Sequence, residues 1–379
     1  MSVPEGYVEL GLRLGRHVDG LVDAYYGPPE IARRVESEEL RPPVDLVADA
    51  ESLREANESA YLDAQLVGLE TIARKLAGEE IPFADEVERC YGVRPRRTPE
   101  ADLEATHRAL DDALPGNGSL TERYQAWREG DPVPRDRLQA VLEEITEDLR
   151  GRTRSMFGLP EGESAAIDLV TDEPWSAYNY YEGGLRSRVA VNLDVPMATN
   201  FVTELMAHEL YPGHQTEHAW KEQLLYREQG RLEAGILMIG APESMIAEGI
   251  AGLGLELLVE DEDAFTAEHL ARHGVEYDTE VARAVKAVSR PLKDVGGNVA
   301  LMLYEDGISE EEGLEYLVHW GLMSDKRAAQ SLRFVTDPIW RSYVSTYTDG
   351  YKVCRDWVDG DASRFQRLLT EPLTPADLA

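Results

Sequence analysis

The sequence is poor in cysteine and has no long apolar run. Its two cysteines, Cys90 and Cys354, are far apart in 379 residues. They are too few for a disulfide framework and lack metal-ligand spacing, so we expect two buried free thiols. No stretch approaches the roughly 18 apolar residues of a membrane span, and no membrane partner is expected. The N-terminus lacks the basic start and apolar run of a signal peptide, which predicts a cytoplasmic protein.

Lysine is also scarce. Only six of the 38 basic residues are lysines, against 72 acidic residues, and the net charge is −34. A surface this acidic repels phosphates, so nucleic acid is not an expected partner. The acidic residues are spread along the chain instead of forming a tail. This distribution, with arginine in place of lysine, favours a halophilic protein, because high salt screens the repulsion between like charges.

Hydrophobic residues make up 43% of the chain, enough for a sizeable core. Apolar residues recur at helical spacing over residues 4–19, 59–77, 100–114 and 135–157, with Pro and Gly turn signals between them. The N-terminal half, 1–160, is therefore expected to be a succession of helices.

The pattern of apolar and polar residues changes after residue 160. Segments 165–170, 176–184 and 187–194 alternate β-branched or aromatic residues with polar ones and predict a small antiparallel β-sheet. Helical spacing returns from about residue 197. We expect one mainly α-helical domain over 1–379, in which 161–379 carry the β insert and the helices of a metal site.

The stretch HELYPGHQTEH, residues 208–218, holds three of the eight histidines. His208-Glu209 begins like the helical zinc motif His-Glu-x-x-His, in which the glutamate is the general base. The next histidine is His214, however, and at about 100° per residue a regular helix would turn it away from His208. Pro212 and Gly213 favour a distortion that returns His214 to His208.

His218 follows His214 by four residues, so the two would share a face of any helix that resumes after Gly213. They are a second possible ligand pair. Two interpretations of His218 stay open: a residue that supports the site from behind, and a residue exposed on the surface.

A zinc site with two histidines usually takes a third protein ligand and keeps one position for water. Glu248 is the preferred third ligand, because it lies within an apolar helical segment, 242–260, where an unpaired carboxylate is costly. Glu243 and Glu256 are interpreted as ordinary carboxylates. Gly249, Gly252 and Gly254 weaken this helix, which close packing would explain.

The motif His208-Glu209-Leu210-Tyr211-Pro212-Gly213-His214, followed by Glu248-Gly249, resembles the family called domain of unknown function 885. That family is similar in organisation to zinc metallopeptidases with a third Glu ligand, including the mostly helical carboxypeptidase Taq type. The resemblance implies a helical zincin-like metallopeptidase fold, with His208, His214 and Glu248 as metal ligands and Glu209 as the base. Tyr347 in Tyr347-Thr348-Asp349-Gly350 resembles the family's Tyr-x-x-Gly, which implies a tyrosine facing the site. The family's second consecutive histidine is Gln215 here.

Together these features predict a metal-dependent hydrolase, with a zinc metallopeptidase as the leading hypothesis. One zinc ion would activate water, Glu209 would accept its proton, and Tyr347 or Tyr343 would stabilise the oxyanion. The strand 187–194 would pair with an extended peptide substrate. Two alternatives stay open: a catalytically silent helical protein that binds a metal or ligand, and a hydrolase of a non-peptide amide or ester. The sequence specifies neither the cleavage preference nor the oligomeric state.

Overall fold

The computed structural model describes residues 2–173 and 175–379. Helix accounts for 65% of the chain and strand for 8%, which confirms a mainly α-helical fold with a small sheet ahead of the motif helix. Within the described residues the α-helices are α1 (Val3–Gly15), α2 (Pro29–Ser37), α3 (Pro43–Glu55), α4 (Ala60–Leu76), α5 (Phe83–Tyr91), α6 (Glu100–Ala113), α7 (Leu120–Glu129), α8 (Arg135–Phe157), α9 (Val202–Glu209), α10 (His214–Lys221), α11 (Pro242–Leu258), α12 (Glu262–Arg272), α13 (Thr279–Ser289), α14 (Val295–Leu301), α15 (Glu310–Trp320), α16 (Asp325–Thr336), α17 (Val344–Val358) and α18 (Ala362–Thr370). The strands are β1 (Val22–Tyr25), β2 (Ser164–Val170), β3 (Ala177–Gly183), β4 (Arg186–Asn192) and β5 (Ile236–Met238). Shorter 3₁₀ and π segments cover Glu222–Glu228, Leu232–Gly235, Arg290–Asp294, Met302–Asp306, Arg341–Tyr343 and Pro375–Leu378.

The four helices expected in the N-terminal half are present as α1, α4, α6 and α8. Their ends follow local chemistry. The Ser59 hydroxyl accepts a hydrogen bond from the Leu62 amide at the start of α4, at 3.3 Å. Helix α8 begins after Pro134 and ends at Gly158, whose φ of 69° lies in the left-handed region.

One strand that the sequence did not predict, β1, interrupts the succession of helices in the N-terminal half. This four-residue strand pairs antiparallel with β5, with Val22 opposite Met238 and Tyr25 opposite Ile236. Because its partner lies so far along the chain, no local hairpin pattern marks it in the sequence. The pairing joins the N-terminal helices to the segment that leads into α11.

The three-stranded sheet has the order β2-β4-β3. Its strands lie where the sequence predicts, but the sheet is mixed: β3 pairs antiparallel with β4, whereas β2 pairs parallel with it. The central strand β4 has hydrogen-bonded neighbours on both sides. The strand 187–194 therefore has no free edge for a peptide substrate, and that expectation is corrected. The edge strand β3 approaches β1 instead.

Helix α11 runs between three hydrophobic clusters. Residue Ala241, just before α11, belongs to the cluster built on α1, α3 and α4, while Met245 and Ile246 of α11 belong to the other two. Close packing accounts for two of its glycines, as expected: a Cβ at Gly249 would lie 2.5 Å from the Gly350 carbonyl oxygen of α17, and one at Gly254 would lie 2.6 Å from Pro212 Cγ. Helices α11 and α17 can therefore touch backbone to backbone.

Two further sequence predictions concern the cysteines and the membrane. Cys90 and Cys354 are both free and buried, as expected. Along the described residues, no helix combines the length and apolar character that a membrane crossing requires. The cytoplasmic location and the single-domain organisation stay predictions.

Candidate metal centre

The helix that carries His208 stops one residue after it. Helix α9 ends at Glu209, Leu210 leaves helical geometry with φ −119° and ψ −80°, and α10 begins at His214. The chain turns so tightly between them that a Cβ at Gly213 would lie 1.9 Å from the His208 carbonyl oxygen. Only glycine fits such an approach. The turn brings the two imidazole rings to a centroid distance of 4.8 Å.

Glu248 of α11 faces both histidines. Its Oε2 lies 3.5 Å from His208 Nε2 and its Oε1 lies 3.9 Å from His214 Nε2. One ligand atom from each of the three residues lies within 4.8 Å of the other two. The structure thus brings together the three residues expected as ligands, which we call the His-His-Glu group.

A metal ion fits the polar atoms of this group. The hydroxyl of Tyr343 donates to Glu248 Oε1 at 2.7 Å, but the buried Oε2 has no hydrogen-bond partner. A buried unpaired carboxylate oxygen is costly, and two neutral imidazoles and a carboxylate are common zinc ligands. Burial lowers the pKa of His208 to about 4 and that of His214 well below its usual value, so both rings are neutral at pH 7 with a lone pair available for a cation.

Glu209, the expected base, lines the same cavity as the His-His-Glu group. Its backbone carbonyl accepts a hydrogen bond from the Asn179 side-chain amide of β3. Burial, with the negative charges of Glu248 and Asp23, raises the pKa of Glu209 to about 8. Burial likewise raises the pKa of Glu248 to about 8. A divalent cation beside these carboxylates would favour their ionised forms instead.

The two expected tyrosines have different positions. Tyr343 is bonded to Glu248, and burial raises its pKa well above 10, so its hydroxyl remains a donor. Tyr347, in the first turn of α17, is 51% exposed and lines the cavity. The two rings meet edge to face at 5.3 Å. Tyr347 is therefore the more accessible hydroxyl, and Tyr343 is the one that holds Glu248.

His218 is not on the surface. It is 9% exposed, and its ring stacks on that of His214 at 5.8 Å. Together with Glu217 the two histidines form a second cluster with metal-ligand spacing. The Lys221 ammonium, however, lies 2.6 Å from Glu217 Oε1 and 3.3 Å from Glu243 Oε1. This buried positive charge disfavours a cation there, so the second cluster is the weaker metal candidate.

The cavity beside the His-His-Glu group has a volume of about 350 Å³, and we call it the acidic cavity. Its wall includes five carboxylates, and among the described residues that line it there is no lysine or arginine. The five are Asp23, Glu209, Glu217, Glu243 and Glu248. Glu243, which the sequence suggested was an ordinary carboxylate, is thus part of the cavity wall. Glu256, interpreted in the same way, is half exposed and accepts a hydrogen bond from the Tyr351 hydroxyl at 2.9 Å.

A second cavity, of about 530 Å³, shares His208, Glu248 and Tyr347 with the acidic cavity as lining residues. Its lining includes four cationic side chains, Arg290, Lys293, Lys352 and Arg355. The His-His-Glu group therefore borders both a cavity lined with carboxylates and one whose lining combines these four cations with Glu204 and Asp294.

The wall residues that the sequence did not reveal include Asp23 on β1, and Tyr178 and Asn179 on β3. The Tyr178 hydroxyl donates to Asp23, and burial raises the pKa of Asp23. The prediction of β3 was correct, but nothing local shows that this strand faces the motif. Gln215, where the resembling family has histidine, is fully buried and accepts from the Ser187 hydroxyl of β4 at 2.5 Å, so it attaches α10 to the sheet.

No protein-family model matches the chain, and a search of curated proteins finds no match. Among solved structures, a presumed lipoprotein from Colwellia psychrerythraea is similar over 92% of this chain, with a TM-score of 0.58 and 14% identity. This likeness extends to the fold alone, and the chain covers 64% of that protein. An M32 carboxypeptidase from Deinococcus radiodurans R1 aligns over 99% of this chain and 92% of its own, at 15% identity. Its TM-score of 0.38 is too low to indicate a shared fold.

Proposed function

We propose that the protein is a metal-dependent hydrolase, and that it is a zinc peptidase. The observation that carries this proposal is the convergence of His208, His214 and the unpaired Oε2 of Glu248, with Glu209 on the wall of the same cavity. The motif and the downstream Glu-Gly also support membership of the domain of unknown function 885 family.

In this proposal His208, His214 and Glu248 hold a single zinc ion. When bound, zinc lowers the pKa of a water molecule and polarises a carbonyl group. Glu209 accepts the proton of the attacking water and later delivers it to the leaving amine. Tyr347, whose hydroxyl is accessible, donates to the oxyanion, and Tyr343 keeps Glu248 in place.

The proposed substrate is a peptide, because the edge strand β3 forms part of the wall. Ala177, Tyr178 and Asn179 line the acidic cavity, and β3 has a hydrogen-bonded neighbour, β4, on one side only. Its other side approaches β1, and an extended peptide would pair its backbone with the part of this edge that β1 leaves uncovered. A volume of about 350 Å³ also accommodates a small ligand, so a non-peptide amide or ester is the result to expect if peptides are not cleaved.

The test combines zinc content with peptide cleavage. We expect about one zinc per chain in the wild type, loss of zinc in His208→Ala and His214→Ala, and retention in His319→Ala, an exposed histidine. Glu209→Gln should keep its zinc and lose peptide cleavage by roughly 10²–10⁴-fold, because only the proton acceptor is removed.

Each outcome has one meaning. Zinc absent from the wild type after purification in molar salt would contradict the metal site. Zinc present without cleavage by the wild type would leave a metal-binding protein without peptidase activity, and equal, measurable cleavage by wild type and Glu209→Gln would contradict Glu209 as the proton acceptor.

A further inference from the structure

The acidic cavity contains one carboxylate that neither the proposed metal site nor an ion pair explains. Glu217 and Glu243 share the Lys221 ammonium, and Glu209 and Glu248 belong to the proposed catalytic group. Asp23 remains. Within the described part of the chain no lysine or arginine forms an ion pair with it, and its one side-chain hydrogen bond comes from Tyr178.

A second observation points to a ligand in the same cavity. Asn179 is 8% exposed, and its Oδ1 has no hydrogen-bond partner. Its Nδ2 donates to the Glu209 carbonyl, which fixes the amide and leaves Oδ1 as an acceptor without a donor in a residue that lines the acidic cavity. A buried acceptor without a donor is costly, so a ligand that brings N–H groups is expected there.

Aromatic rings complete this wall. Tyr178, Trp340 and Phe334 line the same cavity as Asp23 and Asn179. The faces of aromatic rings attract cations, and they do so most strongly where water is excluded. A carboxylate, an unpaired hydrogen-bond acceptor and aromatic rings would all attract a ligand with a cationic nitrogen group, and they would repel an anionic ligand.

We propose that the acidic cavity binds a cationic nitrogen group of the substrate, with Asp23 as its anionic partner. The group is either the α-ammonium of a peptide or the ammonium or guanidinium of a basic side chain. Asp23 is thereby a residue that determines specificity. The assignment to a substrate rests on the proposed hydrolase function, since the cation would belong to the molecule cleaved at the His-His-Glu group.

The experiment is isothermal titration calorimetry on the zinc-supplemented full chain at constant salt. A Glu209→Gln background keeps hydrolysis out of the heat signal. The α-ammonium probe is alanine N-methylamide, and its neutral counterpart is Nα-acetyl-alanine N-methylamide. The side-chain probe is Nα-acetyl-lysine N-methylamide, and its neutral counterpart is Nα-acetyl-norleucine N-methylamide.

We expect at least one cationic probe to bind about tenfold or more tightly than its neutral counterpart, as for a charge-assisted hydrogen bond. A preference for the α-ammonium probe would identify a peptide N-terminus as the cation, and a preference for the lysine probe would identify a basic side chain. Asp23→Asn should remove the preference. Asp19→Asn, the same change at an exposed position four residues earlier, should keep it.

Equal binding of cationic and neutral probes by the protein with Asp23 intact would overturn the proposal, even if Asp23→Asn does not fold. An undiminished preference in folded Asp23→Asn would also overturn it. A peptide-cleavage assay on the wild type separates the two proposals. A charge preference without peptide cleavage would support the cation site and contradict the peptidase. Cleavage without a charge preference would support the peptidase and contradict the cation site.

Discussion

At the scale of single residues, the surroundings of Glu248 decide whether it can hold a cation. One oxygen is occupied by the Tyr343 hydroxyl at 2.7 Å, and the other is left free toward His208. A hydrogen bond from behind orients a ligand carboxylate and increases its affinity for a metal. Tyr343 is thus a positioning residue, whereas Tyr347 reaches the cavity itself.

Tyr343→Phe should therefore weaken zinc binding by roughly 10–100-fold, as typically follows from loss of a hydrogen bond to a metal ligand. The measurement is a zinc competition titration against a chromophoric chelator. Tyr351→Phe is the matched control, because its hydroxyl donates to the half-exposed Glu256. Equal zinc affinity in Tyr343→Phe and wild type would contradict the positioning role.

The residues of the His-His-Glu group could be predicted because clustered histidines, and a carboxylate within an apolar helix, are both rare. Three histidines in eleven residues, and a glutamate within an apolar helix, stand out in a single sequence. Asp23 does not stand out, since it is one of 72 acidic residues and becomes unusual only through its place on the cavity wall. Its environment is tertiary and leaves no local pattern.

At the scale of elements, the packing of α11 against α17 positions Glu248 relative to the two tyrosines. The contact depends on Gly249, where a Cβ would lie 2.3 Å from Cys354 Sγ and 2.5 Å from the Gly350 carbonyl oxygen. At Gly252, on the same helix, the nearest atom to a Cβ is 3.6 Å away, on the Tyr351 ring. Close packing thus explains Gly249 but does not require Gly252.

These two glycines give a matched pair of variants. Gly249→Ala should lower the free energy of unfolding by roughly 1–3 kcal/mol through overpacking. Gly252→Ala should raise it by about 0.5–1 kcal/mol, because alanine favours the helix and the space is open. Urea denaturation followed by circular dichroism measures both. Equal effects of the same sign would show that the helices do not touch at Gly249.

A helix could be predicted where its own sequence contains capping residues and helical apolar spacing. A strand could be predicted where its pairing partner lies nearby in the sequence. Helices α4, α6 and α8 have caps or prolines at their starts and helical apolar spacing. The hairpin of β3 and β4 has local partners. Strand β1 has four residues and a partner near residue 237, and the parallel pairing of β2 with β4 skips a strand. Both depend on contacts that no short window of sequence contains.

At the scale of the whole molecule, a net charge of −34 acts against compactness. Like charges repel across about 10 Å at 0.1 M salt but only about 3 Å at 1 M. Many of the ion pairs are partly exposed, such as that of Arg34 with Glu5, and such pairs contribute little to stability. The remaining unpaired carboxylates therefore dominate the electrostatic free energy.

The free energy of unfolding should accordingly rise between 0.1 M and 2 M potassium chloride. Thermal unfolding followed by circular dichroism at several salt concentrations measures this. Sodium sulfate at matched ionic strength separates screening from effects on apolar hydration, since sulfate strengthens apolar burial as well. Full stability and activity at 0.1 M salt would contradict the halophilic hypothesis and leave an ordinary acidic protein.

The wall of the acidic cavity is drawn from almost the whole length of the chain, from Gly20 and Asp23 to Tyr347. During synthesis the N-terminal parts fold first. The bend at His208 can form once α9 and α10 have left the ribosome, but the cavity gains its last wall only when α17 follows. A polypeptide released before that point would possess the histidines without an enclosed space around them.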